Sequence, residues 1–272
     1  MPKSSVVFTA ALFVISSLFT ACGKKESPVP TPGKDKPEVV VVVPPPVATK
    51  TLLPVKLESS QSIINLTYLK DTGFLREIET SEGVKEIYSY TEKNELKQYD
   101  RYKGTNKEYT VYYLRDQNGT VIQGNQNNVD GDGKVLTPAG SYKISYNSDN
   151  HISAVSWLDN SKRSVATSER FYSSSGNVVK LLISGTGEQS SSFTFDDKNG
   201  IFKDVKFREI LSIESLQHLL FATSGNLLSE SDEKASANNV VYSYVYGADN
   251  YASSMTATDS KGSKKVYKVT YR

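Results

Sequence analysis

Along residues 51–272, apolar and polar positions alternate in short runs instead of recurring at helical spacing. Tyr142-Lys143-Ile144-Ser145-Tyr146 is the clearest run. Residues two apart share one face of a strand, so Tyr142, Ile144 and Tyr146 line one face and Lys143 and Ser145 the other. A polar turn follows at Asn147-Ser148-Asp149-Asn150. The unit returns as Tyr88-Ser89-Tyr90 before Asn94 and as Tyr112-Tyr113 before Asn118-Gly119. It returns again as Phe171-Tyr172 before Gly176, Phe193-Thr194-Phe195 before Asn199-Gly200, and Tyr244-Val245-Tyr246 before Asn250. The turn residues Gly73, Asn94, Gly119, Asn150, Gly176, Gly200, Gly225 and Asn250 recur about every 25 residues, a period that marks a repeat architecture. Gly and Asn exchange there because both tolerate the positive φ of tight hairpin turns.

Each repeat predicts one β-hairpin, and about eight of them make a long antiparallel meander of tyrosine-rich hairpins. The fold class is therefore all-β, with the sheet strongly curved or closed into a barrel, because closure removes exposed edge strands. An open spiral sheet is the alternative. Strands are expected at 64–69, 75–79, 84–90, 96–101, 108–114, 120–123, 142–146, 152–158, 166–172, 178–184, 191–195, 240–246, 253–258 and 265–271. Charges such as Lys85, Glu86, Lys97 and Glu108 recur within them, as expected when one sheet face meets water. After Gly200 the pattern changes. Ser212 precedes apolar Ile213, Leu216, Leu219 and Leu220, which is helical spacing, and Gly225 follows as a terminator. One short helix near 212–221 is predicted, covering an open end of the sheet.

Composition divides the chain into 1–21, 22–50 and 51–272. Residues 1–21 carry Lys3, an apolar run over 6–19 and small residues Thr20-Ala21 before Cys22. That is a secretory signal, shorter than the ~20 apolar residues of a spanning helix. Residues 22–50 hold Pro28, Pro30, Pro32, Pro37, Pro44, Pro45 and Pro46, and read as an extended tether. Basic and acidic residues are nearly balanced, 32 against 30, so no electrostatic case exists for nucleic acid. With Cys22 the only cysteine, no disulfide framework is available.

Candidate chemistry is sparse. The interval from Gly119 to Asn150 is the longest of the series, and its excess lies over 124–133. There Asn128, Asp130 and Asp132, with Gly133 next and Lys134 offering a carbonyl, match the first positions of a calcium loop. Position twelve is Ala139 instead of an acid, so any calcium is held weakly and no other cofactor is implied. A plain Asp-Gly hairpin turn explains the same residues. Trp157 alternates with Val155 and reads as core, or else as an aromatic platform for a sugar. His151 falls in a turn and His218 in the helical stretch, while Asp196-Asp197 sits at a repeat turn. No nucleophile elbow, zinc-protease motif or phosphate loop occurs, so nothing argues for catalysis.

Leu18-Phe19-Thr20-Ala21-Cys22 resembles a bacterial lipoprotein lipobox, with Phe19 where the motif prefers Leu. The resemblance implies cleavage before Cys22, acylation of Cys22 by palmitate-type chains, and a membrane anchor in the cell envelope. Residues 193–202, the helical insert, Asn226-Leu227-Leu228 and the closing tyrosine strands look like a Bacteroidota-type outer-membrane lipoprotein family of unknown function with a porin-like β fold. Where that family has Asn-Pro-Phe, this chain has Asn199-Gly200-Ile201-Phe202. Single hairpins also resemble the tyrosine–aspartate repeats of Rhs-type shells. The family brings no function with it, and the leading expectation for this chain is a non-enzymatic, lipid-anchored binding or scaffold module for a glycan or protein partner. The alternative is a porin-like transmembrane barrel passing small solutes, for which the strands are short and too often charged.

Overall fold

The computed structural model describes residues 51–130, 136–185, 187–215 and 221–272. Its strands form eight hairpins. They are β1 (Pro54–Glu58) with β2 (Ile63–Tyr68), β3 (Leu75–Thr80) with β4 (Val84–Tyr90), β5 (Leu96–Lys103) with β6 (Asn106–Arg115), and β7 (Val121–Val129) with β8 (Leu136–Tyr146). The second half repeats the scheme with β9 (Ile152–Leu158) and β10 (Ser164–Tyr172), β11 (Val178–Gly185) and β12 (Gln189–Phe195), β13 (Leu227–Asp232) and β14 (Val240–Tyr246), and β15 (Ala252–Asp259) and β16 (Lys264–Tyr271). Every strand pairs antiparallel with its sequence neighbours, and β1 pairs with β16, Leu57 opposite Val269. The predicted meander is thus a closed sixteen-stranded barrel.

The repeat motif has a mechanical meaning. At one end of the barrel, five turns share a single geometry. Asn94, Gly119, Asn150, Gly176 and Asn250 each take a positive φ, from 59° to 83°. In the first of these, Thr91 N–H donates to the Glu95 carbonyl (2.8 Å) and Asn94 N–H to the Thr91 carbonyl (2.9 Å), with a register shift at Tyr90. This is the three-residue hairpin loop with a bulge. Asp116 and Asn147 open two of the other turns and accept two backbone N–H bonds each through Oδ1. An Asp or Asn at that place is a local turn former.

A tyrosine at or near the end of the second strand of a hairpin acts as a latch. Its hydroxyl reaches back across the hairpin and donates to the carbonyl of the first residue of the preceding strand. Tyr68 reaches Pro54 (2.8 Å), Tyr90 Leu75 (2.7 Å), Tyr146 Val121 (2.6 Å) and Tyr172 Ile152 (2.9 Å). Tyr244 reaches Leu227 (2.7 Å) and Tyr271 reaches Ala252 (3.0 Å). In the β5–β6 hairpin the Arg115 guanidinium replaces the phenol and donates to the Leu96 carbonyl. β12 ends in Phe195, which has no donor. The strand-opening residues Leu75, Leu96, Ile152, Leu227 and Ala252 are all buried beneath this collar.

At the sixth hairpin the latched end is opened by an insertion. Asp196 N–H donates to the Asn226 carbonyl (3.1 Å), the same closure the other turns make over five residues, and Asn226 N–H donates to Asp196 Oδ1 (3.0 Å). Between these two residues the chain leaves the wall and fills the barrel mouth. Gly200 and Gly225 let its two strands cross closely: an added Cβ would lie 2.7 Å from the Ser224 and Asp196 carbonyl oxygens respectively. Ile201, Phe202, Val205, Ile210, Leu211 and Phe221 bury their side chains in the barrel core, with Phe202 and Phe221 rings 4.4 Å apart. This plug contains α1 (Arg208–Glu214). The helix starts four residues before the expected 212, and of the expected stretch 216–220 lies outside the described residues. Ser212 is therefore not its cap. It sits within α1, donating to the Glu209 carbonyl (2.6 Å). The cap position is held by Phe207 at φ 58°, a costly left-handed conformation for a bulky residue, with the Phe74 ring 5.8 Å away.

Two other expectations shift. The excess over 124–133 is not a loop insertion alone, because β7 continues to Val129 and β8 begins at Leu136. β1 and β13 are strands that alternation did not reveal. Pro54 opens β1, and β13 is the polar run Leu227-Leu228-Ser229-Glu230-Ser231-Asp232.

The outer face of the wall is polar. Lys85 lies 3.4 Å from Glu77 and 3.6 Å from Glu79, Lys107 3.1 Å from Asp100, and Lys56 2.7 Å from Glu58. Thr194 Oγ1 and Ser229 Oγ meet at 2.6 Å on the far side. Among the described residues, exposed Tyr112, Leu114, Ile122, Leu136, Val165, Phe171, Val241, Val245 and Val266 are interspersed with polar neighbours such as Ser243, Ser254, Thr256 and Lys268 on the strands that bear them or pair with them.

Candidate functional site

The plug and the wall meet in a buried polar cluster. α1 ends at Glu214, whose backbone carbonyl meets a tyrosine of β5 and whose carboxyl faces tyrosines of β6 and β8. Tyr99 Oη donates to the Glu214 backbone carbonyl (3.4 Å). The Tyr142 and Tyr109 hydroxyls and the Gln126 amide face the Glu214 carboxyl, and Arg101 adds its charge from β5. Arg101 itself stacks over the Tyr109 ring at 5.2 Å. Burial pushes the Glu214 carboxyl up to about 7, and the hydroxyls and amide pull it down without cancelling that cost. Part of the residue stays exposed, but Oε1 is closed off from solvent. The Tyr142 hydroxyl stands near the Glu214 carboxyl and the Tyr113 hydroxyl near Tyr142, yet Glu214 Oε1 and these two hydroxyls form no well-aligned hydrogen bond among the described residues. Three buried polar atoms without well-aligned partners in one place are unusual, since each costs about 1–3 kcal/mol.

Local sequence explains how the cluster is built. Gly124 lies opposite Tyr113 on one side and Tyr142 on the other. A Cβ there would stand 2.3 Å from Tyr142 Cζ, so the ring lies over the bare glycine backbone. Gly124 thus belongs to the site as the seat of Tyr142. Its neighbour Gln126 lines a hollow of about 560 Å³ at the end away from the plug, with Asn125, Asn127, Thr137, Pro138 and Asn160. Amides dominate this hollow. Further round the interior, Trp157, Tyr242 and Tyr267 are half-buried, beside Glu230 and Lys265. Lys265 lies 5.1 Å from the centre of the Tyr267 ring, and burial raises the Glu230 carboxyl, helped by Asp232.

A second cleft, about 760 Å³, opens at the plug end between the turns near Asn118 and Asn150 and residues 203–210. Several of its charges are engaged by neighbouring side chains. His151 Nδ1 donates to Glu209 Oε1 (2.6 Å), and the His151 ring stacks on Tyr172 at 4.7 Å. Ile152 N–H and Tyr172 Oη donate to Glu209 Oε2. Arg208 donates to Ser224 Oγ (2.8 Å) and Lys203 to Asn199 Oδ1 (2.9 Å). These contacts pin the plug to the wall.

The residues singled out by sequence are dispersed. Trp157 packs beside Tyr142, ring centres 6.5 Å apart, and stays half-buried. Asp196 is a structural acceptor at the plug root, also receiving the Tyr246 hydroxyl, whereas Asp197 is exposed beside Lys198 (3.1 Å). Asn128 lies in β7 opposite Thr137, and Asp130 follows the strand. Asp132, like His218 and Cys22, lies outside the described residues. Among the described residues no group of three or more His, Cys, Asp or Glu is placed to hold a metal. Glu214 and Gly124 carry no sequence signal that singles them out: one is an acid on a helical stretch, the other a glycine off the repeat phase.

No family model matches the chain, and no curated protein matches it. Among solved structures it is similar to a porin-like protein from Bacteroides vulgatus, with TM-score 0.50 and 10% identity over 81% of this chain and 99% of that one. Another is a porin-like protein from Bacteroides uniformis, at TM-score 0.45, 12% identity, and 82% and 99% coverage. The Tc holotoxin pore of Photorhabdus luminescens aligns over 72% of this chain and 11% of that chain, at 16% identity and TM-score 0.31. At such identities the likeness extends to the fold: an all-β barrel.

Proposed function

We propose that this chain is a non-enzymatic, lipid-anchored envelope module that binds a glycan at the barrel end away from the plug. The carrying observation is the distribution of polarity. Charges and hydroxyls coat the outer wall, while the tyrosine-rich interior is blocked at one mouth by the plug. A membrane-spanning barrel needs the opposite arrangement, an apolar outer band about 25 Å tall around a polar lumen. The porin-like alternative is therefore the weaker reading. Acylation of Cys22 supplies the membrane attachment, and residues 23–50 the reach. The chain enters the wall at the plug end, where Leu53 and Arg272 pair through their backbones (3.0 Å). The amide hollow beside Gln126 lies at the opposite end of the barrel. Amides and half-buried aromatic rings are the groups that hold sugar hydroxyls and sugar faces.

Fractionation of the Cys22→Ala variant tests the anchor and the topology together. The variant should leave the membrane fraction in buffer alone, and the purified protein should bind members of a bacterial glycan panel. Retention in the membrane after loss of Cys22 would favour the spanning barrel and refute this reading.

A further inference from the structure

The cluster at Glu214 has the makings of a ligand site with a definite chemistry. Its acceptor is a carboxyl oxygen shut off from solvent, with no well-aligned hydrogen bond among the described residues. Its walls are tyrosines: Tyr113 and Tyr142 at five per cent exposure or less, with Tyr99 and Tyr109 beside them. A buried carboxylate ringed by phenol oxygens attracts a cation through its charge and through those acceptors. Arg101, whose charge reaches Glu214, is over the Tyr109 ring and pairs with Glu108 instead, and no ion pair to Glu214 is formed among the described residues. Two hydroxyls without a well-aligned hydrogen bond among the described residues, on Tyr113 and Tyr142, have oxygen lone pairs to accept N–H bonds. Gln126 belongs both to this cluster and to the open amide hollow, and so marks the way in.

We infer that the Glu214–tyrosine cluster binds a primary ammonium group, carried by a small polar ligand that enters through the hollow beside Gln126. The entry route rests on the proposed glycan reading of that hollow; the ammonium site itself does not. Amino sugars and polyamines share this head group. The bound state pairs Glu214 carboxylate with the ammonium, while Tyr113 and Tyr142 oxygens accept its remaining protons. No covalent step is involved. The charged or titratable groups around Glu214 are Arg101 on β5 and the phenols of Tyr99, Tyr109, Tyr113 and Tyr142, all of whose phenols burial raises. Glu214 must therefore be the group that releases a proton when the ammonium binds near neutrality.

Thermal unfolding of the full-length protein in methylammonium chloride, against equal sodium chloride, is the first measurement. Methylammonium should raise the midpoint in the native protein and not in Glu214→Gln, and Tyr142→Phe should weaken the effect. Apparent affinity should be about tenfold higher at pH 8 than at pH 6, following ionisation of a carboxyl near 7. Calorimetry of the native protein in two buffers of different ionisation heat gives a readout independent of any variant: binding at pH 6.5 must release protons. Equal shifts with sodium, an undiminished shift in Glu214→Gln, or no proton release would overturn the inference, and a cluster satisfied by water alone would give the first of these. Glucosamine, putrescine and glucose then separate the sources. Glucose and glucosamine binding alike, with methylammonium inert, would sink the ammonium site and leave the glycan reading standing. Methylammonium binding with every sugar inert would do the reverse.

Discussion

Replacing Glu214 by glutamine should make the protein less sensitive to alkaline pH. The folded state holds the Glu214 proton to about pH 7, against an ordinary carboxyl value of 4.5. A group raised in this way stabilises the fold fully below its unfolded value. That contribution is lost as pH climbs from 4.5 through 7, because the unfolded chain sheds its proton first. At 1.36 kcal/mol per unit, the loss is about 3 kcal/mol, and partial exposure of the residue makes that an upper figure. Glutamine keeps the shape and cannot ionise. Urea unfolding at pH 5 and pH 8 measures the difference: the native protein should lose about 2–3 kcal/mol more than Glu214→Gln over this range. Glu230, also raised by burial, titrates in both proteins and cancels. Parallel pH profiles for the two proteins would refute the reasoning, as would a variant that is less stable at pH 8.

Four further outcomes are expected. Tyr90→Phe removes the donor to the Leu75 carbonyl and should cost about 1–2 kcal/mol in urea unfolding, whereas Tyr112→Phe on the exposed face should stay within about 0.5. Phe195→Tyr supplies the latch that the sixth hairpin lacks, beside a cavity of about 40 Å³ bordered by Val178, and should gain about 1 kcal/mol by the same assay. Gly124→Ala drives a methyl against the Tyr142 ring and should cost about 1–3 kcal/mol, with altered near-ultraviolet tyrosine dichroism. Calcium titrated during thermal unfolding should leave the midpoint unmoved below millimolar concentration, and Asp130→Ala with Asp132→Ala should abolish the shift at several millimolar; no shift there removes the site.

Much of the barrel was legible from alternation alone. Tyr142, Ile144 and Tyr146 share a face at every scale, because strand period and burial are both local properties. Turn chemistry was equally plain, since positive φ selects Gly or Asn at 94, 119, 150, 176 and 250 whatever lies around them. Strands β1 and β13 escaped because their apolar residues are too few to alternate, and pairing with an existing neighbour recruited them into the wall. Ring closure, β1 against β16, joins residues more than two hundred apart and has no local signature. The helix began earlier than its cap residue suggested. Its start is set by Phe207 wedged near Phe74 and Tyr90, a tertiary constraint that overrides propensity.

Function divides along the same line. The proposed address rests on a contiguous stretch ending at Cys22, readable because processing signals act on extended chain. The Glu214 cluster has no such stretch. Its members come from β5, β6, β7, β8 and the end of α1, and Glu214 is an ordinary helical acid until the plug folds into the barrel. Only then does removal from water shift its proton affinity, and only then do Tyr113 and Tyr142 lose their solvent partners. Periodicity and turn chemistry, which act over a few residues, were therefore determined by the sequence by itself; the plug's docking and the polarity of what it covers were decided by tertiary structure, because desolvation depends on neighbours brought from far along the chain.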